Sequence, residues 1–196
     1  MLELFYKGGP IMWPLLICSL VTLTVVLERA YFCLTESRAG NPALLRQVLD
    51  HATSGDAAAA LQAANGSADP VVRVVASGLE FRDRGFASAI LEASQRELAR
   101  YDRGITVLDT IITLAPLLGL LGTVTGMIRT FCLLGGAELG APQAVTGGIA
   151  EALIATAFGL GIAITALLPF NYLNSRMERV RREIESAASR LELAMA

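Results

Sequence analysis

Three long apolar runs without a charged residue divide this chain, and they cover residues 11–27, 110–128 and 152–175. A helix that crosses the hydrocarbon of a bilayer needs about 20 mainly apolar residues, and the first run reaches this length with the adjoining Gly8 to Pro10. Glu28 and Arg29 follow that run where a signal peptide would carry a small-residue cleavage site, so we interpret it as a span. The pattern predicts an all-α membrane protein with three transmembrane helices.

Apolar positions continue beyond the second and third runs, spaced alternately three and four residues apart. One series consists of Leu91, Ser94, Leu98, Tyr101, Ile105, Leu108 and Ile112, and the other of Leu173, Met177, Val180, Ile184, Ala187 and Leu191. This spacing is typical of a helical seam that packs against other helices in water. We therefore expect spans two and three to extend into a cytoplasmic helical bundle; a short amphipathic tail lying on lipid is the alternative.

Arginines predict the orientation of the spans. Four of them follow the third run directly, whereas the connection 133–143 carries Glu138 as its only charge. Since arginine and lysine concentrate on the cytoplasmic side, we expect a periplasmic N-terminus and a cytoplasmic C-terminus. The resulting division is an N-terminal outside segment with the first span at 1–34, a cytoplasmic helical region at 35–103, the second span at 104–134, an outer loop at 135–143, the third span at 144–175 and a cytoplasmic C-terminal helix at 176–196.

Composition limits the class of protein and the kinds of functional site that this chain can contain. Of the 196 residues 54% are hydrophobic and 17% charged, with a formal net charge of −2, which argues against a soluble protein and against a nucleic-acid partner. Cys18, Cys33 and Cys132 lie in or beside apolar runs, and the single histidine, His51, has no cysteine cluster nearby. Because the sequence contains no nucleophile–base pair, metal-ligand cluster or phosphate loop, we expect neither an enzyme nor a metal or cofactor.

Polar groups inside the spans are the candidate functional residues. Spans two and three form an antiparallel hairpin, so Arg129 and Glu151 come to similar depth near the outer face. Thr123 and Thr156 lie about 8–9 Å further in, and level with each other. The two hydroxyls could line one polar track, or each could bond a carbonyl of its own helix. Glu151 could snorkel to the headgroups, pair with Arg129, or face an ion path inside the protein.

Glycines indicate that these helices pack closely. Gly119, Gly122 and Gly126 lie on span two, and Gly159 and Gly161 on span three. Small residues at such spacings allow helix backbones to approach in a membrane. We therefore expect tightly apposed helices in an assembly larger than three spans.

Three segments carry a family resemblance. "LAPLLGLLGTVTGMIRTF" at 114–131, followed by "GGIAEALIATAFGLGIAI" at 147–164, closely resembles the ExbB/TolQ/MotA proton-channel family, and ExbB-type members most. "GGPIMWPLLICSLVTLTVVLERAYF" at 8–32 also resembles the start of many ExbB-type members. The resemblance covers essentially the whole chain.

That resemblance implies a homo-pentamer in the bacterial inner membrane whose pore holds an ExbD-like dimer of single-span helices. It implies proton flow that energises outer-membrane transport through a TonB-like protein. The family's pore residues match Thr123, Glu151 and Thr156, and Pro116 matches the proline that opens the motif. With this resemblance the functional interpretation of the threonines is favoured.

Arg129 and Asp109 depart from the family pattern. ExbB-type and TolQ-type membership both fit the residues, whereas MotA-type members carry a fourth span. A passive membrane scaffold is the remaining alternative, and three polar groups at matching positions count against it.

Overall fold

In a computed structural model of the chain, the structure describes residues 2–82, 85–136 and 142–195. These residues form eight α-helices and connecting turns, without a strand. The helices are α1 Leu2–Lys7, α2 Met12–Ala39, α3 Pro42–Thr53, α4 Ala57–Ala64, α5 Pro70–Glu80, α6 Phe86–Asp102, α7 Ile105–Gly136 and α8 Pro142–Met195. The central part of the expected outer loop, including Glu138, lies outside the described residues.

The predicted all-α class with three spans is confirmed. Three helical segments are long and apolar enough to cross a membrane, namely Met12–Glu36, Ile105–Cys132 and Thr146–Leu193. The last segment is 48 residues long, well beyond the length that one crossing requires. Helix α8 therefore extends beyond its span, as the second apolar series indicates.

The chain forms two compact units, and each is described separately. Unit one comprises residues 1–27 and 106–171, and unit two comprises residues 28–105 and 172–196. Helices α2, α7 and α8 contribute residues to both units, and the part of α7 in unit two is Ile105 alone.

Unit one packs α7 and α8 through small side chains. The buried residues include Ala115 on α7 and Ala152, Ala155, Ala163 and Ala166 on α8. Large aliphatic side chains of the same helices are exposed, among them Leu117, Leu120, Leu153, Leu160 and Leu168. Small residues at the contact and large ones outside are typical of helices that associate in lipid, where burial of leucine brings no hydrophobic gain.

Unit two begins its short helices with polar caps. Asn41 Oδ1 accepts from the Leu44 amide at 3.1 Å, and Asp56 Oδ1 accepts from the Ala59 amide at 2.9 Å. Asp69 caps α5 and also accepts from the Asn41 amide at 2.7 Å, so one carboxylate joins the starts of α3 and α5. Such caps satisfy amides that have no partner inside the helix.

The core of unit two consists of large aliphatic side chains and small alanines. Its buried members are Val48, Leu49, Ala52, Ala60, Ala64, Val71, Val72, Val74, Val75, Leu79, Tyr101, Val180, Ile184, Ala187 and Leu191. The α8 residues in this list, with Leu173 also buried and Met177 packed against the core, are those of the second apolar series. The prediction that this series forms a packed seam is confirmed.

The first apolar series differs from the expectation of one helix running into span two. Helix α6 ends at Asp102 and α7 begins at Ile105, and Gly104 between them has φ +82°. A left-handed residue cannot continue a right-handed helix, and glycine adopts this conformation without a steric penalty. The prediction that one continuous helix runs through this series into span two is therefore wrong.

Candidate functional site

Two glycines of α7 bring its backbone against α8. A Cβ atom at Gly122 would overlap the Cβ of Ala155. A Cβ atom at Gly126 would lie 3.1 Å from the Ala152 Cβ and 3.1 Å from the Gly148 carbonyl oxygen. These approaches leave no space for a side chain, so the Gly122–Gly126 pair lies at the α7–α8 contact.

Thr156 lies at the same contact, one turn further along. A Cβ at Gly119 would lie 3.1 Å from the Thr156 Cα. The Thr156 hydroxyl is placed to donate to the Gly119 carbonyl oxygen at 3.0 Å, across the helix pair, and to the Ala152 carbonyl oxygen of its own helix at 3.3 Å. Thr156 therefore has both an interhelical and an intrahelical acceptor within reach.

Thr123 has a different arrangement. Its hydroxyl donates to the Leu120 carbonyl oxygen of its own helix at 2.6 Å. Because Gly122 lies against Ala155, the neighbouring Thr123 and Thr156 are within about one turn of each other along the helix pair. The two threonines thus lie close to each other along the helix pair, and each hydroxyl donates to a main-chain carbonyl oxygen.

Gly159, Pro116 and Gly161 complete the set of packing residues predicted from sequence. A Cβ at Gly159 would lie 2.5 Å from the Ala115 carbonyl oxygen, so α7 and α8 also meet where Pro116 lies inside α7. A Cβ at Gly161 would meet nothing within 4 Å. The packing role of Gly161 stays a prediction.

The structure brings Arg129 and Glu151 together. Arg129 Nη1 donates to Glu151 Oε1 at 3.1 Å, and the two side chains are 57% and 22% exposed. The pair joins the last part of α7 to the first part of α8. A carboxylate held by a guanidinium keeps its charge at lower cost than an isolated one in an apolar setting. Asp109, the second departure from the family pattern, is exposed near the start of α7.

Sequence reasoning missed two residues at this site. Gly9, in the turn between α1 and α2, lies directly against the Glu151 carboxylate. Thr130 is buried, donates to the Gly126 carbonyl oxygen at 2.9 Å, and fills the space beside Gly148. The available signal for Gly9 was the "GGP" turn at residues 8–10, which indicates a turn but not its neighbour.

Unit two holds a separate cluster of charged side chains. Arg73 donates to both oxygens of Glu97 at 2.9 and 2.6 Å, and Arg100 donates to Glu97 Oε2 at 2.8 Å. Burial alone would raise the pKa of Glu97, but the hydrogen bonds from Arg73 and Arg100 outweigh it and lower that pKa below its usual 4.5. Glu36 lies 3.5 Å from Arg73 and 3.4 Å from Arg100. This network connects α2, α5 and α6 within unit two.

Comparison with known proteins adds the family. The model of the MotA/TolQ/ExbB proton channel family matches residues 67–186, which include α7 and the membrane part of α8. The chain belongs to this family. A biopolymer transport protein of Synechocystis sp. named ExbB-like 1 is 40% identical over 98% of this chain and 78% of its own length.

Two further relatives carry the names of two branches of the family. The biopolymer transport protein ExbB of Neisseria meningitidis serogroup A is 28% identical over 97% of this chain and 94% of its own length. The Tol-Pal system protein TolQ of Haemophilus influenzae is 38% identical over 51% of this chain and 44% of its own length. Family membership and three apolar helices make this chain a multi-pass membrane protein of a proton-channel family.

Proposed function

We propose that this chain is an ExbB-like subunit of an inner-membrane motor that uses the proton motive force to energise TonB-dependent transport at the outer membrane. The observation that carries the proposal is similarity to a protein named ExbB along 97% of the chain, including both span motifs. The TolQ-like alternative, a subunit of the Tol-Pal envelope system, has similarity over 51% of the chain in its favour. A non-conducting scaffold is the weaker alternative, because it gives the polar groups of α7 and α8 no role.

The proposed topology has a periplasmic N-terminus and a cytoplasmic C-terminus. Residues 35–103 and 176–196 then lie in the cytoplasm, and residues 135–143 form the outer loop. The arginines that follow the third span support this orientation. The first span, 1–34, faces lipid, and the spans at 104–134 and 144–175 face the interior of the assembly.

The proposed assembly is a homo-pentamer around a central pore. An ExbD-like dimer of single-span helices occupies the pore and supplies the carboxyl group that carries protons, since the apolar centres of these spans contain no acid. A TonB-like protein receives the energy of proton flow and transmits it to the outer membrane. The exposed leucines of α7 and α8 support further helix contacts or lipid contacts around unit one.

We assign the proton pathway to Thr123, Thr156 and Glu151. A hydroxyl can donate and accept, so threonines pass a proton or water along without burial of a fixed charge. Glu151 sets the electrostatic potential of the outer mouth, which we define as the Arg129–Glu151 pair. The cross-helix reach of Thr156 to Gly119 supports a position between the two helices and not in lipid.

The decisive experiment measures proton flux into liposomes that contain the purified protein, with and without an ExbD-like partner, using an internal pH dye. The protein alone should conduct poorly, because the α8 wall beyond the threonines is apolar and dewets. Addition of the partner should raise the flux. Substantial flux from the protein alone, or none with the partner, would contradict the proposal.

Valine variants test the pathway with shape held constant. Thr123→Val and Thr156→Val should lose most partner-dependent flux while assembly, measured by the mass of the complex in detergent, is retained. Thr125→Val is the matched control, because Thr125 also bonds a carbonyl of its own helix but lies off the proposed track. Glu151→Gln should reduce flux less than Glu151→Lys, since a positive charge at the mouth repels protons. Normal flux in both Thr123→Val and Thr156→Val would reduce these threonines to packing residues.

A further inference from the structure

The turn between α1 and α2 packs against the Glu151 side chain. Gly9 has φ +73°, and a Cβ atom at this position would overlap Glu151 Oε1 and lie 2.6 Å from its Cδ and 3.1 Å from its Cγ. The Glu151 side chain therefore occupies the space that a side chain at position 9 would need, and glycine leaves this space open. The contact joins residues far apart in sequence, within unit one.

The same turn is held in place on both sides. A Cβ at Gly8 would lie 3.1 Å from Ile154 Cγ2, so Gly8 meets α8 three residues beyond Glu151. Ile11, which follows the turn, contacts α7, since its Cγ2 lies 3.6 Å from the Cβ position of Gly122. Met12, at the start of α2, is buried. The turn is thus seated on the α7–α8 pair and is not a loose terminal segment.

Two neighbours converge on one oxygen of Glu151. Arg129 donates to Oε1 at 3.1 Å, and the Gly9 backbone lies against the same atom. A carboxylate on a flexible side chain samples several rotamers unless packing restricts it. Gly9 restricts the carboxylate from the side of the turn, and Arg129 holds it by charge.

We propose that Gly9 is a positioning residue that fixes the Glu151 carboxylate against Arg129, so that the N-terminal turn sets the geometry of the outer mouth. The part of this inference that concerns the mouth rests on the proposed function. The part that concerns Glu151 and Arg129 stands on the contacts alone. An accessible carboxylate without this support would exchange Arg129 for other partners.

The test uses the full-length protein in detergent and the reactivity of Glu151 toward a carbodiimide, with the modified peptide measured by mass spectrometry. Gly9→Ala should displace the carboxylate from Arg129 and raise the labelling rate by about two- to fivefold, the range that a partly exposed ion pair supports. Arg129→Gln should raise the rate similarly. The double variant Gly9→Ala with Arg129→Gln should show no further rise, because both changes remove the same contact. An unchanged rate in Gly9→Ala, or fully additive rises, would overturn the proposal.

Gly66→Ala is the matched control for backbone strain. Gly66 has the same φ of +73°, and a Cβ at this position meets nothing within 4 Å. Labelling of Glu151 should not change in this variant. A rise equal to that of Gly9→Ala would indicate general loosening of the protein and would contradict the proposal.

A rescue variant covers the case in which Gly9→Ala folds poorly. Glu151→Ala removes the overlap, so in that background Gly9→Ala should lower the yield of folded protein only as much as Gly66→Ala lowers it, which is the cost of an alanine at φ +73° alone. Failure of this rescue would show that Gly9 does not accommodate Glu151.

Labelling of Glu151 and proton flux together distinguish the positioning role of Gly9 from the proposed function of the outer mouth. If labelling responds as expected while Glu151→Gln leaves partner-dependent flux unchanged, the positioning role stands and the proposed role of the mouth falls. If labelling does not respond while Glu151→Gln reduces flux, the proposed function stands and the positioning role of Gly9 falls.

Discussion

Unit one and unit two differ in the side chains through which their helices meet. At the α7–α8 contact of unit one the backbones meet through glycines and alanines, and many leucines of the same helices are exposed, with Leu108 near the start of α7 as a buried exception. Unit two buries valine, leucine and isoleucine around short capped helices. The difference follows from the solvent that each sequence is built for: water drives large apolar side chains inward, whereas lipid does not.

Polar groups are treated differently as well. In unit one the hydroxyls of Thr123, Thr125 and Thr130 donate to carbonyls of their own helix. In unit two Glu97 receives hydrogen bonds from two arginines on two helices. These three threonines of unit one are thus satisfied within one helix, and Thr156 and the Arg129–Glu151 pair connect α7 to α8. In unit two a cluster of four charged side chains connects three helices. This comparison is tested by pairs of substitutions, one at a packed or hydrogen-bonded position and one at a similar position without that contact.

The largest effect is expected from a cavity in unit two. Leu191 is 0% exposed in the core, so Leu191→Ala should lower the free energy of unfolding by about 2–5 kcal/mol. Leu193, two residues along the same helix, is 80% exposed, and Leu193→Ala should change it by about 0.5 kcal/mol or less. Thermal unfolding followed by circular dichroism measures both. Equal effects would mean that this part of α8 does not pack as the structure shows.

Unit one should lose stability when a methyl group is added at a glycine that packs against a neighbouring backbone. Gly159→Ala places a methyl group 2.5 Å from the Ala115 carbonyl oxygen and 3.1 Å from the Gly119 Cα. Because both of these are backbone atoms, the substitution should lower the free energy of unfolding by about 1–3 kcal/mol. Gly161→Ala meets nothing within 4 Å and should be neutral or stabilising by up to about 1 kcal/mol through helix propensity. Melting temperatures in detergent separate the two variants. A loss at Gly161 in the assembled complex but not in the dissociated subunit would assign this glycine to a contact between copies.

The charged cluster around Glu97 should make the stability of unit two depend on pH. Glu97→Gln removes the nearer carboxylate of Arg73 and Arg100, leaves them only Glu36 at 3.5 and 3.4 Å, and should cost about 1–3 kcal/mol at neutral pH. Because the pKa of Glu97 is lowered in the folded state, its contribution is present above its unfolded pKa and is lost as the pH falls through its folded value. Unfolding measured from pH 7 down past the usual pKa of 4.5 should show this loss, and Glu97→Gln should reduce it.

Glu92→Gln is the control for this prediction. Glu92 pairs with Arg96 on the surface, and both side chains are exposed, so its removal should cost about 0.5 kcal/mol or less. A cost equal to that of Glu97→Gln would mean that the cluster contributes no more than a surface pair.

The smallest expected effect separates the two threonines. Thr156→Val removes a hydrogen bond to Gly119 across the helix pair and should lower stability by about 1 kcal/mol. Thr123→Val removes a bond within one helix and should change stability by less. The difference between their melting temperatures, with Thr125→Val as reference, is the measurement. A larger loss for Thr123→Val would contradict the assigned hydrogen bonds.

Much of the fold could be predicted because it depends on local pattern. Charge-free runs located the spans, and the seam through Val180 and Leu191 was visible as periodicity. The break at Gly104 was missed, because the apolar spacing continues across it and a single glycine is only a weak signal against helix. The end of α6 depends on that one backbone conformation.

By itself, the sequence determined that this chain is helical, spans a membrane three times and continues as an amphipathic helix beyond the last span. Only the tertiary structure decided which glycines meet a neighbour, with Gly159 in contact and Gly161 open, and which hydroxyl crosses between helices. It alone placed Gly9 against Glu151. The reason is physical: a span that is apolar on all sides carries no periodic signal for the face that meets a partner, so that choice depends on the fit between backbones.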